Sequence, residues 1–278
     1  MLSGLREAEK MAANPPIKVV VAGALGRMGK EVVAAVCADR HLDLAGAVDK
    51  KAVEEYLSLP GGLGLIPISR EVEPMLIRVK PHVMVDFTHP ESVMDNVRCA
   101  LRHRVVPVVG TTGITEKDLR EIQALCEEHG VGAFVAPNFA LGANLMIHFA
   151  RIASRFFPSA EIIELHHDGK ADAPSGTALR TAEEMTRARE EPFKFGATTK
   201  LVLEGVRGGE AGGIRIHSVR LPGLVAHQEV LFGGQGETLT IRHDSISRES
   251  FMPGVIMAIK EAPKIKGLVY GLDRLMGL

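Results

Sequence analysis

The stretch Glu164-Leu-His-His-Asp-Gly-Lys-Ala-Asp-Ala-Pro-Ser-Gly-Thr177 brings together two imidazoles, an ammonium and a small hydroxyl pair. Histidine titrates near neutrality, which suits a general acid that protonates a carbanion-like centre once hydride has arrived. Ser175, Gly176 and Thr177 precede a helical run expected over 178–188. A hydroxyl residue at a helix start, with backbone N–H groups pointing outward, makes an anion site. A carboxylate held there would lie near Lys170 and up to two histidines, His166 and His167. Such a cage suits a small, multiply negative substrate. Two adjacent histidines also read as an ordinary strand pair facing opposite sides, with only one of them near a site. Zinc would need a third ligand at tetrahedral-site spacing, which the neighbouring sequence lacks, so no metal is expected. A Ser-His-Asp hydrolase would need a Gly-x-Ser-x-Gly elbow, and none occurs.

A second constellation begins at Gly23-Ala24-Leu25-Gly26-Arg27-Met28-Gly29, directly after the apolar run Ile17–Ala22 and before a helical stretch at 30–37. A glycine turn between strand and helix lets backbone amides approach a pyrophosphate, and the helix start adds a favourable partial charge. The spacing is GxxGxxG, with Leu25 where the middle glycine of GxGxxG usually stands. Asp49 ends the next strand, where a carboxylate can bind a ribose 2′-hydroxyl. Lys50 and Lys51 follow it and could hold a 2′-phosphate, so use of both NADH and NADPH is expected. The lysines also read as a solvated charge run. Three further loops follow expected strands: Asp86-Phe87-Thr88-His89, Gly110-Thr111-Thr112-Gly113 and Ala136-Pro137-Asn138-Phe139. Ligands of open α/β sheets lie beyond the carboxyl ends of strands, and small hydroxyl and amide groups there suit a nicotinamide ribose and carboxamide.

These groups need a scaffold of alternating elements. Apolar runs at 17–22, 42–48, 83–86, 105–109 and 131–136 read as buried parallel strands, and 116–128 carries an amphipathic helical stripe. That alternation predicts a Rossmann-type doubly wound parallel sheet over 17–139. After Ala140 the character changes. A long helical pattern covers 141–157, a strand 161–166, and three strands separated by tight turns lie at 214–220, 227–232 and 238–242. These predict an α+β substrate and oligomerisation domain over 140–246 with a mixed open sheet. Residues 247–278 turn helical again and are expected to rejoin the first domain.

The chain has 278 residues, 46% of them hydrophobic, with 33 basic against 34 acidic. A balanced charge provides no general field for nucleic acid or anionic membrane, so any anionic ligand is held by local groups. No run approaches the ~20 apolar residues of a membrane span. Residues 1–16 lack an apolar core and carry acidic groups, which predicts a flexible extension rather than a signal or transit peptide. Cys37, Cys99 and Cys126 form no metal-like or CxxC spacing and read as reduced, buried thiols of a cytoplasmic protein.

Taken in order, Gly-Ala-Leu-Gly-Arg-Met-Gly, Asp86-Phe-Thr, Gly110-Thr-Thr-Gly, His166-His-Asp-Gly-Lys-Ala-Asp-Ala-Pro-Ser-Gly-Thr-Ala178, Arg220-Leu-Pro-Gly and His227-Gln-Glu-Val resemble the 4-hydroxy-tetrahydrodipicolinate reductase family, also called dihydrodipicolinate reductases. The likeness runs from about Ile17 to the C-terminus. It implies reduction of a cyclic dicarboxylate of the diaminopimelate and lysine pathway by NADH or NADPH, in a homotetramer assembled through the second domain's sheet. It implies catalytic roles for His166 and Lys170, and substrate contacts from His167, Ser175, Gly176 and Thr177. It also implies cofactor contacts from Gly23 to Met28, Asp49, Lys50, Phe87, Thr88, Gly110 to Thr112 and Ala136 to Phe139. Some members carry Arg-His where this chain has Asp168-Gly169. Two other readings fit the nucleotide end alone: a two-domain dehydrogenase for a different amino or imino acid, and a non-catalytic NAD(P)H sensor. A sensor needs no acid beside a dicarboxylate cage, and the 166–177 block speaks against both.

Overall fold

Strand β1 (Ile17–Ala22) runs through the middle of a sheet, with Val19, Val20, Val21 and Ala22 fully buried. A continuous apolar run suits a strand covered on both faces. Residues 15–194, 196 and 198–278 of the chain are described by a computed structural model. The expected extension 1–16 therefore lies outside the described residues, apart from Pro15 and Pro16.

After β1 come α1 (Arg27–Ala38), β2 (Leu42–Val48), β3 (Tyr56–Ser58), β4 (Leu65–Ser69), α2 (Val72–Val79) and β5 (Val83–Asp86). Then follow α3 (Pro90–Arg102), β6 (Val106–Val109), α4 (Glu116–His129) and β7 (Ala133–Val135). Helix α4 starts on a capping box: Thr115 Oγ accepts from the Asp118 amide at 3.2 Å, and Asp118 accepts from the Thr115 amide at 2.8 Å. It stops at Gly130, which takes the left-handed conformation (φ 65°). The second stretch holds α5 (Leu141–Ala153), β8 (Ser159–His166), α6 (Gly176–Arg187), β9 (Gly209–Ala211), β10 (Ile214–Arg220), β11 (Ala226–Gly234) and β12 (Glu237–Ser245). The chain closes with α7 (Met252–Glu261), β13 (Leu268–Tyr270) and α8 (Leu272–Met276).

Two compact units result. One runs up to Phe139 and resumes at Phe251–Gly277, and the other is Ala140–Ser250. The first holds an eight-stranded sheet in the order β13-β7-β6-β5-β1-β2-β4-β3. Its pairings are parallel except for β3 against β4. The order reverses between β1 and β5, the switch point where such sheets bind ligands. Helices α2 and α3 pack Met75, Leu76 and Ala100 on Val20, Val48 and Met84, and Cys99 joins that core. Cys126 lies in the neighbouring cluster with Val97, Ile122 and Val135, where burial pushes its thiol up to about 11. Cys37 is half-buried.

The second unit has a five-stranded mixed sheet in the order β12-β11-β8-β10-β9. β8 runs parallel to β10 and antiparallel to β11. One face carries Ile162, Ile216, Val230 and Phe232 against Met146 and Ala150 of α5 and Ala178, Ala182 and Met185 of α6. On the other face Ile163, Leu165 and Leu231 remain only half-buried. The α/β architecture agrees with the sequence expectation. Strands β3, β4, β9 and β13 were not anticipated, being short and poor in uninterrupted apolar pattern.

Candidate active site

In the first unit the glycine turn is fixed by backbone packing. Gly23 has φ +82°, and a Cβ there would lie 2.3 Å from the Phe87 carbonyl oxygen. A Cβ on Gly29 would lie 2.0 Å from the Gly23 carbonyl oxygen. Both positions therefore require glycine. At Gly26 an added Cβ would meet only the Gly23 carbonyl, at 3.1 Å, so packing within the protein does not demand glycine there. Gly26 instead caps α1 without any side-chain hydrogen bond and lines an open cleft.

The cleft has a volume of about 650 Å³, and Gly23, Gly26, Asp49, Lys50, Phe87 and Thr88 all line it. Arg70 lines it as well, its Nε donating to the Lys50 carbonyl at 3.1 Å. Asp49 is built into the turn: one carboxylate oxygen accepts from the Leu25 amide and the other from the Lys51 amide, both at 2.9 Å. Leu25 therefore fills the middle-glycine place with its amide already committed to Asp49. Ala24 and Leu25 of the turn, and Arg27 and Met28 of the first turn of α1, do not line the cleft.

Beneath Thr88 lies a buried carboxylate. Asp86 is fully buried and accepts from Thr88 Oγ at 2.7 Å, Thr111 Oγ at 2.6 Å and Asn96 Nδ2 at 2.7 Å. Burial raises its pKa, and these donors oppose that rise. Asp86 thus ties the loop after β5 to Thr111 in the loop after β6. An added Cβ on Gly110 would meet the Phe87 ring at 2.2 Å, so these two loops interlock. Phe139 packs on Phe87 with ring centroids 5.7 Å apart, which brings the 136–139 loop to the same end of the sheet. Ala136 is buried, while Thr112 and Pro137 are exposed.

In the second unit the chemistry gathers where β8 ends. Glu164 and His166 alternate onto the same face of β8, and Arg220 is the register partner of His166 on β10. Glu164 is completely buried, and its carboxylate receives His166 Nδ1 in a very short hydrogen bond. Arg220 grips the same carboxylate with both terminal nitrogens, at 2.8 and 3.0 Å, and the Ser175 amide adds a bond at 3.3 Å. Burial acts to raise the Glu164 pKa, but Arg220, Ser218 and His166 outweigh it and hold the group below the usual range. Burial lowers the His166 pKa, with Glu164 opposing and Lys170 and Arg220 assisting.

Lys170 reaches Asp172 at 2.7 Å, and Arg220 also donates to the Asp172 carbonyl at 2.6 Å, which straps the 167–174 loop to the sheet. Ser175 caps α6, its Oγ accepting from the Ala178 amide at 3.1 Å. The first amides of a helix have no intrahelical acceptor, so Gly176 and Thr177 stand at an anion-binding position. His167, just past the end of β8, is exposed, whereas His166 is held.

The structure therefore gathers His166, Lys170 and Ser175–Thr177 into one cluster. Sequence reasoning passed over Glu164 and Arg220 as site residues. The signal available was an acid two residues before His166 in a strand, which places both on one face. Among the described residues, one trio with metal-ligand chemistry, Glu73, Cys99 and His103, has its donor atoms within 4.8 Å of one another.

A parallel sheet with a glycine turn and an acid at its switch point, joined to a second α/β unit bearing an acid–base cluster, defines a two-unit nucleotide-dependent oxidoreductase. An amine dehydrogenase from Mycobacterium smegmatis shares this fold at 13% identity, with a TM-score of 0.63 over 93% of this chain and 95% of that one. Family models match more specifically: "Dihydrodipicolinate reductase, N-terminus" over 17–139 and "Dihydrodipicolinate reductase, C-terminus" over 142–276. A 4-hydroxy-tetrahydrodipicolinate reductase of Dehalococcoides mccartyi is 53% identical over 95% of this chain and 99% of its own. That of Bacillus subtilis is 47% identical over the same shares. A dipicolinate-bound dihydrodipicolinate reductase from Paenisporosarcina sp. TG-14 superposes with a TM-score of 0.83 at 43% identity, over 93% of this chain and 99% of that one. The chain belongs to the dihydrodipicolinate reductase family.

Proposed function

We propose that this chain reduces 4-hydroxy-tetrahydrodipicolinate to tetrahydrodipicolinate in diaminopimelate and lysine formation, with NADH or NADPH as reductant. The observation that carries this reading is the cluster of His166, Lys170 and the α6 start, in a chain about half identical to reductases of that name. In this reading the first unit binds the dinucleotide and the second binds the small dicarboxylate.

The first unit fits a dinucleotide. Gly26 leaves open space where a side chain would intrude, the α1 start offers amides to a pyrophosphate, and Asp49 stands at the ribose position. Lys50, Lys51 and Arg70 surround the same end of the cleft. Gly110 to Thr112 and Ala136 to Phe139 serve the nicotinamide end. When bound, the reduced nicotinamide supplies a hydride to the substrate ring. The protein's own groups do the rest. The α6 start, through Ser175, Gly176 and Thr177, takes one substrate carboxylate, with His167 beside it. Lys170 exchanges Asp172 for the substrate and offsets developing negative charge. His166 delivers the proton. Hydride and proton enter, water leaves, and the atoms balance.

The test is loss of reduced-cofactor absorbance when the purified protein meets freshly made substrate, run with both cofactors. No turnover with either cofactor overturns the reading. Lys50→Ala weakens NADPH roughly tenfold more than NADH, as befits a lost charge-assisted hydrogen bond. Equal loss for both cofactors removes Lys50 from recognition of the 2′ position.

The same reading makes the protein a cytoplasmic homotetramer. It is supported by half-buried Ile163, Leu165 and Leu231 on the second unit's sheet, a face that association would cover. No helix among the described residues is long and apolar enough to cross a membrane. Light scattering at micromolar concentration returns four chains, and a monomer refutes the assembly.

A further inference from the structure

We propose that Glu164, clamped by Arg220, is the positioning residue that holds His166 in one tautomer, with Nδ1–H donated inward and Nε2 left for the substrate. The inference rests on the functional reading above and assigns roles to Glu164 and Arg220, to which that reading gives none.

The geometry is specific. Glu164 is fully buried on β8, and a buried carboxylate needs compensation. Arg220 provides it through two bonds at 2.8 and 3.0 Å, a fork geometry that also fixes the plane of the carboxylate. The Ser175 amide adds a third contact, tying that plane to the start of α6. One oxygen of this fixed carboxylate meets His166 Nδ1. An imidazole bonded to a carboxylate through Nδ1 carries its proton there when neutral, so Nε2 is the nitrogen that gains and delivers a proton. Because Arg220 shares the carboxylate, Glu164 stays ionised and does not itself take the proton.

The charged groups acting on His166 are Glu164, Lys170 and Arg220, and they act in opposite senses. Glu164 favours the imidazolium, while Arg220 and Lys170 disfavour it. Gln228, the register partner of Glu164 on β11, and Thr181 on α6 are uncharged and bond to each other at 2.7 Å. Two substitutions therefore have effects of opposite sign. Glu164→Gln removes the favourable charge, so the alkaline limb of the kcat/KM profile moves to lower pH. At pH 8 the rate falls about tenfold, less than the roughly 10²–10⁴-fold lost when acid catalysis is removed altogether, and it partly recovers on acidification. Arg220→Gln removes one of the two cations that disfavour the imidazolium, leaving only Lys170 against Glu164, so the limb moves to higher pH. A purely structural role predicts no such pair of opposite shifts.

The experiment records pH profiles of both variants with thermal melts, and ¹⁵N NMR of the histidine ring in wild type and Glu164→Gln. The expected result is opposite displacement of the limb, with a single Nδ1–H tautomer in wild type that becomes mixed in the Gln variant. Limbs that stay put or move together in folded variants overturn the inference, as does a wild-type Nε2–H tautomer. The NMR reading needs no turnover. An inactive wild type would refute the functional reading while the tautomer still decides this one.

Discussion

His166→Gln lowers kcat by on the order of 10²–10⁴-fold and leaves KM for the dicarboxylate nearly unchanged, the signature of a group that acts only in the transition state. The imidazole is held by a buried carboxylate, and in the proposed reading the substrate carboxylate sits at the helix start instead, so loss of the imidazole spares ground-state binding. Lys170→Ala behaves differently. In the proposed reading its ammonium both holds a substrate carboxylate and supports developing charge, so kcat falls and KM rises together. Substitutions at Ser175 and Thr177 act chiefly through KM, because a carboxylate at a helix start is bound about equally before and during hydride transfer. Steady-state kinetics on these variants, with melts alongside, separate the roles. Near-wild-type kcat in a well-folded His166 variant would end the general-acid assignment.

The second large effect is on stability. Gly29→Ala places a methyl 2.0 Å from the Gly23 carbonyl oxygen and 2.8 Å from the Ala24 Cα. Both obstacles are backbone, so relief requires α1 to move away from the turn. Overpacking of this kind costs about 2–4 kcal/mol, and the displaced helix start also weakens cofactor binding. Gly26→Ala is the control. Its methyl meets protein only at 3.1 Å, a contact that asks the Gly23 carbonyl to give by a few tenths of an ångström, so the variant loses much less stability than Gly29→Ala while its affinity for the dinucleotide falls. Chemical denaturation and cofactor fluorescence titration distinguish the two. A Gly29→Ala protein as stable as wild type would show that helix and turn are not locked together.

Much of this was readable in advance because it rests on local pattern. A continuous apolar run, a glycine turn and an acid at the next strand end place Gly23 to Gly29 and Asp49 without knowledge of any distant contact. Ser175 opens a helix by its own side chain. Less legible were groups whose importance depends on strands far apart in sequence. Arg220 meets Glu164 only because β10 pairs in parallel with β8, a register that no local spacing encodes. Arg70 enters the cleft through β4, a short strand beside a glycine-rich segment with little apolar periodicity. In the sequence Asp86 reads only as part of a loop, and its role as a buried tie between two loops follows from Thr111 and Asn96, contributed by other elements.

The first unit is interrupted in sequence: it pauses at Phe139 and resumes at Phe251. Its edge strand β13 pairs with β7, and Leu272 of α8 is fully buried. On the ribosome, where chains lengthen at about 5–20 residues per second, the second unit is therefore complete while the first still lacks a strand and its closing helices. The inserted unit can fold as soon as it emerges. The seven earlier strands of the sheet must wait with the β7 edge unpaired, so of the two units the one begun first is finished last.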